Sequence, residues 1–188
     1  KEVDGQLKIL NEAANEMSAQ PDCNIAITHI LQKTASYFGS DGAYVIELDK
    51  NKTSVKNTYE VGDSESQKYV NRLRTLSADI VCELVKKTSS EKFIFADNES
   101  EFSVPALKTL FDGGAVRSVI LSALMRDGAV IGFMAVNNPS KEIDRIKHIV
   151  PLGDYITVLL IRKDLAKSIE SEKQSMAKLL DDIPESFI

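Results

Sequence analysis

"AVRSVILSALMRDGAVIGFMAVNNP", residues Ala115 to Pro139, is the stretch that decides the fold. It contains two apolar runs, Ser118 to Met125 and Val130 to Val136, joined through Arg126-Asp127-Gly128 and closed by Asn138-Pro139. Asp-Gly between two such runs is among the stronger short hairpin signals. Both runs are nearly continuously apolar, which places these strands in the middle of a sheet covered on both faces. The neighbours of that hairpin must therefore lie upstream, and part of its cover downstream.

Upstream, "FGSDGAYVIELD" supplies a helix stop at Gly39 and a strand over about Ala43 to Leu48. The chain turns through "DKNK", and Thr53 to Tyr59 returns as a second strand, a hairpin with a loop of four or five residues. Ile27, Ile30, Leu31, Thr34 and Phe38 form a broad face at helical spacing, with Asp22 as the cap behind Pro21. Tyr69, Leu73, Leu76, Ile80, Leu84 and Val85 predict a long amphipathic helix over Ser64 to Lys87 lying across one face of the sheet. "EKFIFAD" is a short strand, Phe93 to Ala96, and a polar loop leads into a brief helix over roughly Val104 to Phe111, ended by Gly113 and Gly114. Two hairpins flanking helices predict an antiparallel α+β domain rather than a parallel doubly wound one.

The ends of the chain carry narrower stripes. Val3, Leu7, Leu10, Ala14 and Met17 recur in steps of four and three, the a/d pattern of a helix that pairs with another helix. From Tyr155 a second series runs through Val158, Arg162, Leu165, Ile169, Glu172, Met176, Leu179 and Ile183. Past about Ala166, Lys167, Glu170 and Lys173 surround that stripe with charge, so its apolar seam calls for another chain. Arg162 and Glu172 are polar at stripe positions, which weakens a two-stranded coil. The simpler alternative is a solvated terminal helix.

Composition bounds the function. The chain has 188 residues and 43% hydrophobic content, enough for one domain with extensions. Its net charge of −5 is spread without a basic block, which argues against nucleic-acid partners. Cys23 and Cys82 form neither a disulfide framework nor a metal knuckle, and fit a reducing cytoplasm. No apolar run reaches the roughly 18 residues of a membrane span. A first residue Lys1 rather than Met suggests a segment of something longer.

At this point the chain resembles a known family. "VRSVILSALMRDGAVIGFMAVNNP" followed by "DRIKHIVPLGDYITVLLIRKDL" is similar to the C-terminal half of a GAF domain, in the Arg117-Ser118 pair, the Asp127-Gly128 turn, Ile131-Gly132 and the Asn138-Pro139 exit. "LQKTASYFGSDGAYVIELD" is similar to the family's first core helix and strand, so the likeness spans roughly Cys23 to Leu165. It implies a GAF-like (PAS/profilin-like) antiparallel sheet of five to six strands with helices on both faces, flanked by coiled-coil-like helices. The division it implies is a dimerisation helix over 1–21, a GAF domain over 22–165 and an outgoing signalling helix over 166–188. A PAS domain is the alternative fold, and the long helix before the third strand speaks against it.

The resemblance also implies a sensory module, not an enzyme, with a pocket between the sheet and the helices of one face for a cyclic nucleotide, tetrapyrrole, amino acid or other small effector. Its pocket candidates here are Phe95, Asp97, Phe102, Leu110, Phe111, Arg117, Ser118 and Ser122. Arg117 could pair with a carboxylate or phosphate, or with Glu99, Glu101 or Asp112; Asp97 could accept from a ligand amine or cap a turn; Ser122 is either a pocket hydrogen-bonder or a small packing residue. Homodimerisation is expected through Val3, Leu7, Leu10 and Met17, and through Leu165, Ile169, Met176 and Leu179. The family's Asn-Lys-Phe-Asp-Glu signature is missing and no cysteine follows Cys82 for a bilin, so no cofactor is assigned.

The rest of the chemistry is thin. His29 and His148 are lone helical histidines, read as surface residues rather than bases or ligands. Cys82 reads as a small buried hydrophobe. Asp49, Asn51, Thr53 and Glu60 match calcium-loop positions, but Ser54 stands where glycine is needed, so a hairpin turn is the better account. The resulting expectation is an effector-binding module linked covalently to an output domain, a GGDEF diguanylate cyclase first, then a histidine kinase or phosphodiesterase. Its alternatives are a purely structural dimerisation module and a methionine sulfoxide reductase of GAF fold working through Cys23 and Cys82.

Overall fold

The computed structural model describes residues 2–63, 71, 73–97, 116–140 and 143–181. Phe102, Leu110, Phe111, the short helix expected around them, the side chain of Val3 and the stripe residue Ile183 lie outside the described residues. Among the described residues four α-helices, α1 (Glu2–Ala19), α2 (Cys23–Phe38), α3 (Ala78–Ser90) and α4 (Ile149–Asp181), accompany five strands. The strands are β1 (Gly42–Leu48), β2 (Val55–Gly62), β3 (Phe93–Asp97), β4 (Ser118–Arg126) and β5 (Ala129–Asn137), and a 3-10 turn, Ile143–His148, leads into α4.

The sheet is antiparallel throughout, in the order β2-β1-β5-β4-β3. The late hairpin β4–β5 therefore lies at its centre, as the unbroken apolar runs require, and the early hairpin β1–β2 extends it on one side. Asp127 (φ 51°) and Gly128 (φ 76°) both adopt left-handed backbone, the conformation that a two-residue hairpin turn demands. Gly132 lies between β1 and β4 at the point of closest approach. A Cβ there would stand 2.3 Å from the Ile46 carbonyl oxygen, so only glycine lets β1 and β5 pair.

Local signals explain most boundaries. Asp22 caps α2, its carboxylate accepting from the N–H groups of Asn24 (2.7 Å) and Ile25 (3.3 Å). Gly39 ends α2 in the left-handed conformation at φ 57°. The first hairpin loop is longer than expected, residues 49–54, because Asp49 organises it. Its carboxylate accepts from Thr53 and Ser54 N–H at 2.8 and 2.9 Å, and these bonds hold its pKa below the usual carboxylate range.

The single long helix expected over Ser64 to Lys87 is broken. Asn71 and Leu73 are helical, Arg74 and Thr75 form a turn, and α3 begins only at Ala78, after Ser77 with extended backbone (ψ 154°). A Leu76 N–H to Leu73 carbonyl bond of 3.3 Å closes the turn between them. Leu73 nevertheless packs in the same core as Val81 and Leu84, so the apolar spacing persists across a break in the helix.

Two cores lie on the two sides of the sheet. On one, α2, α4 and part of α1 pack over Ala43, Val45, Ile120, Leu124, Met134 and Val136. On the other, α3 packs over Tyr44, Ile46, Val119, Leu121, Phe133 and Ala135. The alternation of side chains along β1, β4 and β5 divides them.

Candidate functional site

The face beneath α3 is the candidate pocket side. Val81, Leu84 and Thr88 of α3 point at the sheet, and Thr88 uses its hydroxyl on the Leu84 carbonyl (2.7 Å). The wall opposite them is largely apolar: Ile46 and Leu48 on β1, Phe133 and Ala135 on β5, Leu121 on β4, Ile94 and Ala96 on β3, with Glu60 of the edge strand β2 held 3.6 Å from Arg74. Cys82 does not belong to it. One helical step from Val81, it is exposed, contrary to its reading as a buried hydrophobe.

The described pocket candidates gather on the other side. Phe93 packs against the α4-side core while Ile94 and Ala96 face α3, so alternation turns Phe95 and Asp97 to the α4 side. Phe95 is 37% exposed there. Ser118 and Ser122 share that side with Ile120 and Leu124. Ser122 is buried, donates to the Lys92 carbonyl (3.3 Å), and lies below Gly153, where a Cβ would come within 3.7 Å of its hydroxyl. Its small size lets α4 approach the sheet, which favours the packing reading.

Arg117 is exposed, and the three acids proposed to pair with it lie outside the described residues. Its backbone has a definite role. The N–H groups of Arg117 (2.7 Å) and Ser118 (3.1 Å) both donate to the Asn138 side-chain oxygen, and the Asn138 amide nitrogen donates to Asp41 at 2.7 Å. Asn138 itself has left-handed backbone at φ 48°. The Arg-Ser and Asn-Pro marks at the two ends of the late hairpin are thus two halves of one clasp.

The α4 side is tied together by charge. Glu12 accepts from Lys33 (3.3 Å) and Glu16 lies 2.9 Å from His29, an antiparallel ladder between α1 and α2. His148, expected at the surface, is buried with its Nδ1 2.7 Å from the Tyr37 hydroxyl, because the 3-10 turn folds it under α2. Arg162 is not a coil residue. Its guanidinium donates to the carbonyls of Met17 (3.0 Å), Gln20 (2.7 Å) and Pro21 (3.2 Å) and to the Cys23 sulfur (3.1 Å), capping the end of α1 and the α1–α2 corner.

The next two residues continue the collar. Lys163 donates to the Tyr59 hydroxyl and lies 3.7 Å from Glu47, which is only 5% exposed. Lys56 bridges Glu47 (2.6 Å) and Asp164 (3.6 Å). The hydrogen bond to Glu47 raises the Lys56 pKa above the ordinary lysine value, against a lowering by burial. Glu47, Arg162 and Lys163 were not among the sequence candidates. Their partners lie up to 145 residues away, and no local pattern announces such pairs.

Beyond Asp164, α4 leaves the body of the protein. Leu165, Ile169, Met176 and Leu179 are 55–69% exposed in steps of four, seven and three. At the N-terminal end, Leu7 is exposed, while Leu10 and Met17 pack partly against the chain's own core, beside Ile9 and Ala13, which are fully buried.

No family model matches this chain, and no curated protein does. Solved structures do. The GAF domain of Acinetobacter phosphoenolpyruvate-protein phosphotransferase superposes with a TM-score of 0.60 at 15% identity, over 87% of this chain and 97% of that one. The photosensory core module of Stigmatella aurantiaca phytochrome superposes at 0.68 and 14% identity, over 92% of this chain and 39% of that larger one. The A. aeolicus nlh2 GAF domain, in an inactive state, superposes at 0.58 and 12% identity, over 87% and 99%. The protein is an antiparallel α+β domain whose two sheet faces carry different cover. Its fold is that of a GAF domain.

Proposed function

We propose that this chain is the non-catalytic sensory GAF module of a larger cytoplasmic signalling protein. It takes a small-molecule effector on the α3 face and relays its presence through α4 of a homodimer to a covalently linked output domain, a GGDEF diguanylate cyclase first, a kinase or phosphodiesterase next. In this reading residues 22–165 are the GAF domain, 1–21 a dimerisation helix and 166–188 the outgoing helix. An effector that binds two packings of α4 unequally would shift the population between them.

The observation that carries the reading is the outward stripe of α4. Residues 165–181 project roughly 25 Å from the body, with Leu165, Ile169, Met176 and Leu179 aligned and uncovered. In a parallel pair with a second copy, the flanking positions hold Ser168 and Ser175 against Ala166, Lys173 and Leu180, so no like charges oppose there. Both histidines are occupied in structural pairs, and Cys23 and Cys82 lie on opposite sides of the sheet, which speaks against a cysteine-pair reductase.

A second reading is a structural coupling module with a filled interior. It is favoured by the apolar wall beneath α3 and by a groove of about 430 Å³ that lies elsewhere, between α1 and α2 at Gly5, Glu12, Lys33 and Tyr37. Native mass spectrometry of the purified chain, followed by denaturing extraction, separates the two. A dimer carrying a stoichiometric small molecule supports the sensor; an empty dimer whose melting temperature no metabolite moves supports the structural module, and a monomer overturns both.

A further inference from the structure

Besides Glu60 and Thr58 on the β2 edge, which Arg74 engages, a polar side chain on the central strand β5 interrupts the apolar face. Asn137, the last residue of β5, is 1% exposed, and neither its amide oxygen nor its amide nitrogen has a hydrogen-bond partner among the described residues. Phe133 and Ala135 face α3 while Met134 and Val136 face α4, so alternation puts the Asn137 side chain on the α3 side. Its neighbours there cannot serve it. Opposite it on β1 stands Gly42, opposite it on β4 stands Val119, and Ala135 precedes it on the same face.

Buried polar groups in native proteins are almost always paired, and an unpaired one costs its full desolvation. The clasp at the end of the hairpin does not require this amide. Asn138 supplies that clasp alone, and Asn137 contributes only its backbone carbonyl, which accepts from Asp41 N–H at 3.1 Å. An apolar residue of similar size would suit the site better on stability grounds. Residues that weaken a fold without a local return concentrate at functional sites.

We propose that Asn137 reads the ligand of the α3 face, and that this ligand is uncharged and planar, with an N–H beside a C=O: the edge of a lactam, imide or nucleobase. A carboxamide offers one acceptor and one donor side by side, which pairs in two points with such an edge. The residues beside it, Gly42, Val119 and Ala135, carry no charge, and the ionised pair described on this face, Glu60 and Arg74 (3.6 Å), lies at the β2 edge, so a charged ligand at Asn137 would lose its hydration without an adjacent counter-charge. Tyr44 and Phe133 supply aromatic surface on the same face. This inference rests on the effector reading of the module.

Thermal-shift titrations of wild type, Asn137→Leu and Asn137→Ala test it, with uracil, hypoxanthine and glutarimide as probes and N-methylglutarimide as control. We expect at least one probe to raise the wild-type melting temperature in a concentration-dependent way, the N-methylated control not to, and both variants to bind that probe at least tenfold more weakly. We also expect ligand-free Asn137→Leu or Asn137→Ala to melt no lower than wild type. Equal binding by wild type and variants, or a drop in melting temperature for both ligand-free variants, would overturn the inference. A co-purified molecule retained equally by Asn137→Leu overturns it while the sensor reading stands; a protein that carries nothing and responds to no probe overturns both.

Discussion

The two faces of one sheet have been built on different terms. On the α4 side three helices are held by ion pairs and capped carbonyls as well as by apolar packing: Glu12–Lys33, Arg162 on the α1–α2 corner, Lys163 and Lys56 on Glu47. On the α3 side the 13-residue α3 lies over a largely apolar wall that holds an unpaired amide, and the described polar ties are those of Arg74 to Thr58 and Glu60 at the β2 edge. Polar ties specify geometry, because each has a direction and a length; apolar contact alone tolerates repacking. The difference places definition where α4 leaves the body and adaptability beneath α3. The proposed conversion of occupancy on one face into movement of a helix on the other would use that asymmetry.

The sharpest way to break the comparison is to attack what both faces share. Gly132→Val would place a Cβ 2.3 Å from the Ile46 carbonyl oxygen and 3.4 Å from the Glu47 Cα, backbone atoms that cannot turn aside. We expect a loss of the order of 4 kcal/mol or more, a large part of the stability of a domain this size, read as insoluble expression or an early denaturant midpoint. Gly153→Ala is its counterpart on the α4 face alone. There the nearest atom, at 3.2 Å, is the Leu124 methyl, which can give way, so the variant should fold with a modest loss.

Arg162→Met comes next. It keeps the length of the side chain and removes the donors to three carbonyls, leaving the end of α1 uncapped at a cost of ~1–3 kcal/mol. Hydrogen exchange should rise at residues 17–23 and 161–165 and remain unchanged in α3. Arg162→Lys should not rescue it, because an ammonium cannot span the Met17, Gln20 and Pro21 carbonyls as the guanidinium fork does. Protection lost equally on both faces would contradict the division drawn here.

Arg162 also marks the limit of what the sequence discloses. The late hairpin was legible from Asp127-Gly128 and two apolar runs, the end of α2 from Gly39, and the outward stripe of α4 from its spacing, because each is encoded within a turn or two of chain. Periodicity says which residues share a face. It does not say which face finds a partner, so Arg162 read as a coil position while its contacts lie up to 145 residues away, Ile9 was passed over for Leu7, and His148 was assigned to the surface. Leu73 keeps step with Val81 across the break in the helix at residues 74–77. The pocket candidates came from family likeness, which located the strands and not the side of the strand each residue takes: Phe95, Asp97, Ser118 and Ser122 fall on the α4 side. Asn137, adjacent to the Asn138 of the motif, was hidden by it.

The outgoing stripe offers a test that separates stability from association. Leu165→Ser with Ile169→Ser should change the intrinsic stability of the domain by no more than about 0.5 kcal/mol per site, since both side chains are 55% exposed, and should convert a dimer into monomers in sedimentation velocity. Glu172→Leu should do the reverse. At that position two carboxylates would meet across a parallel pair, and replacing them should tighten the dimer at least tenfold.

The smallest effect concerns Lys56 and separates the collar from the rest of the α4 face. Its ammonium is faced by Glu47 and Asp164, with Lys163 and the Tyr59 hydroxyl sharing the same carboxylate network. The folded-state pKa is raised above the unfolded lysine value of about 10.4. Between those two values the folded chain binds more protons than the unfolded chain, so stability falls as pH rises. The contribution is complete below the unfolded value and disappears as pH passes through the folded one. Lys56 is 45% exposed, so solvent screening holds the effect to a few tenths of a kcal/mol. Lys56→Met should therefore flatten the alkaline limb of a melting-temperature profile above about pH 10 and leave the neutral plateau nearly level. A wild-type profile that rises over that interval would mean that Glu47 does not hold Lys56 in solution, and that the collar rests on Arg162 and Lys163 alone.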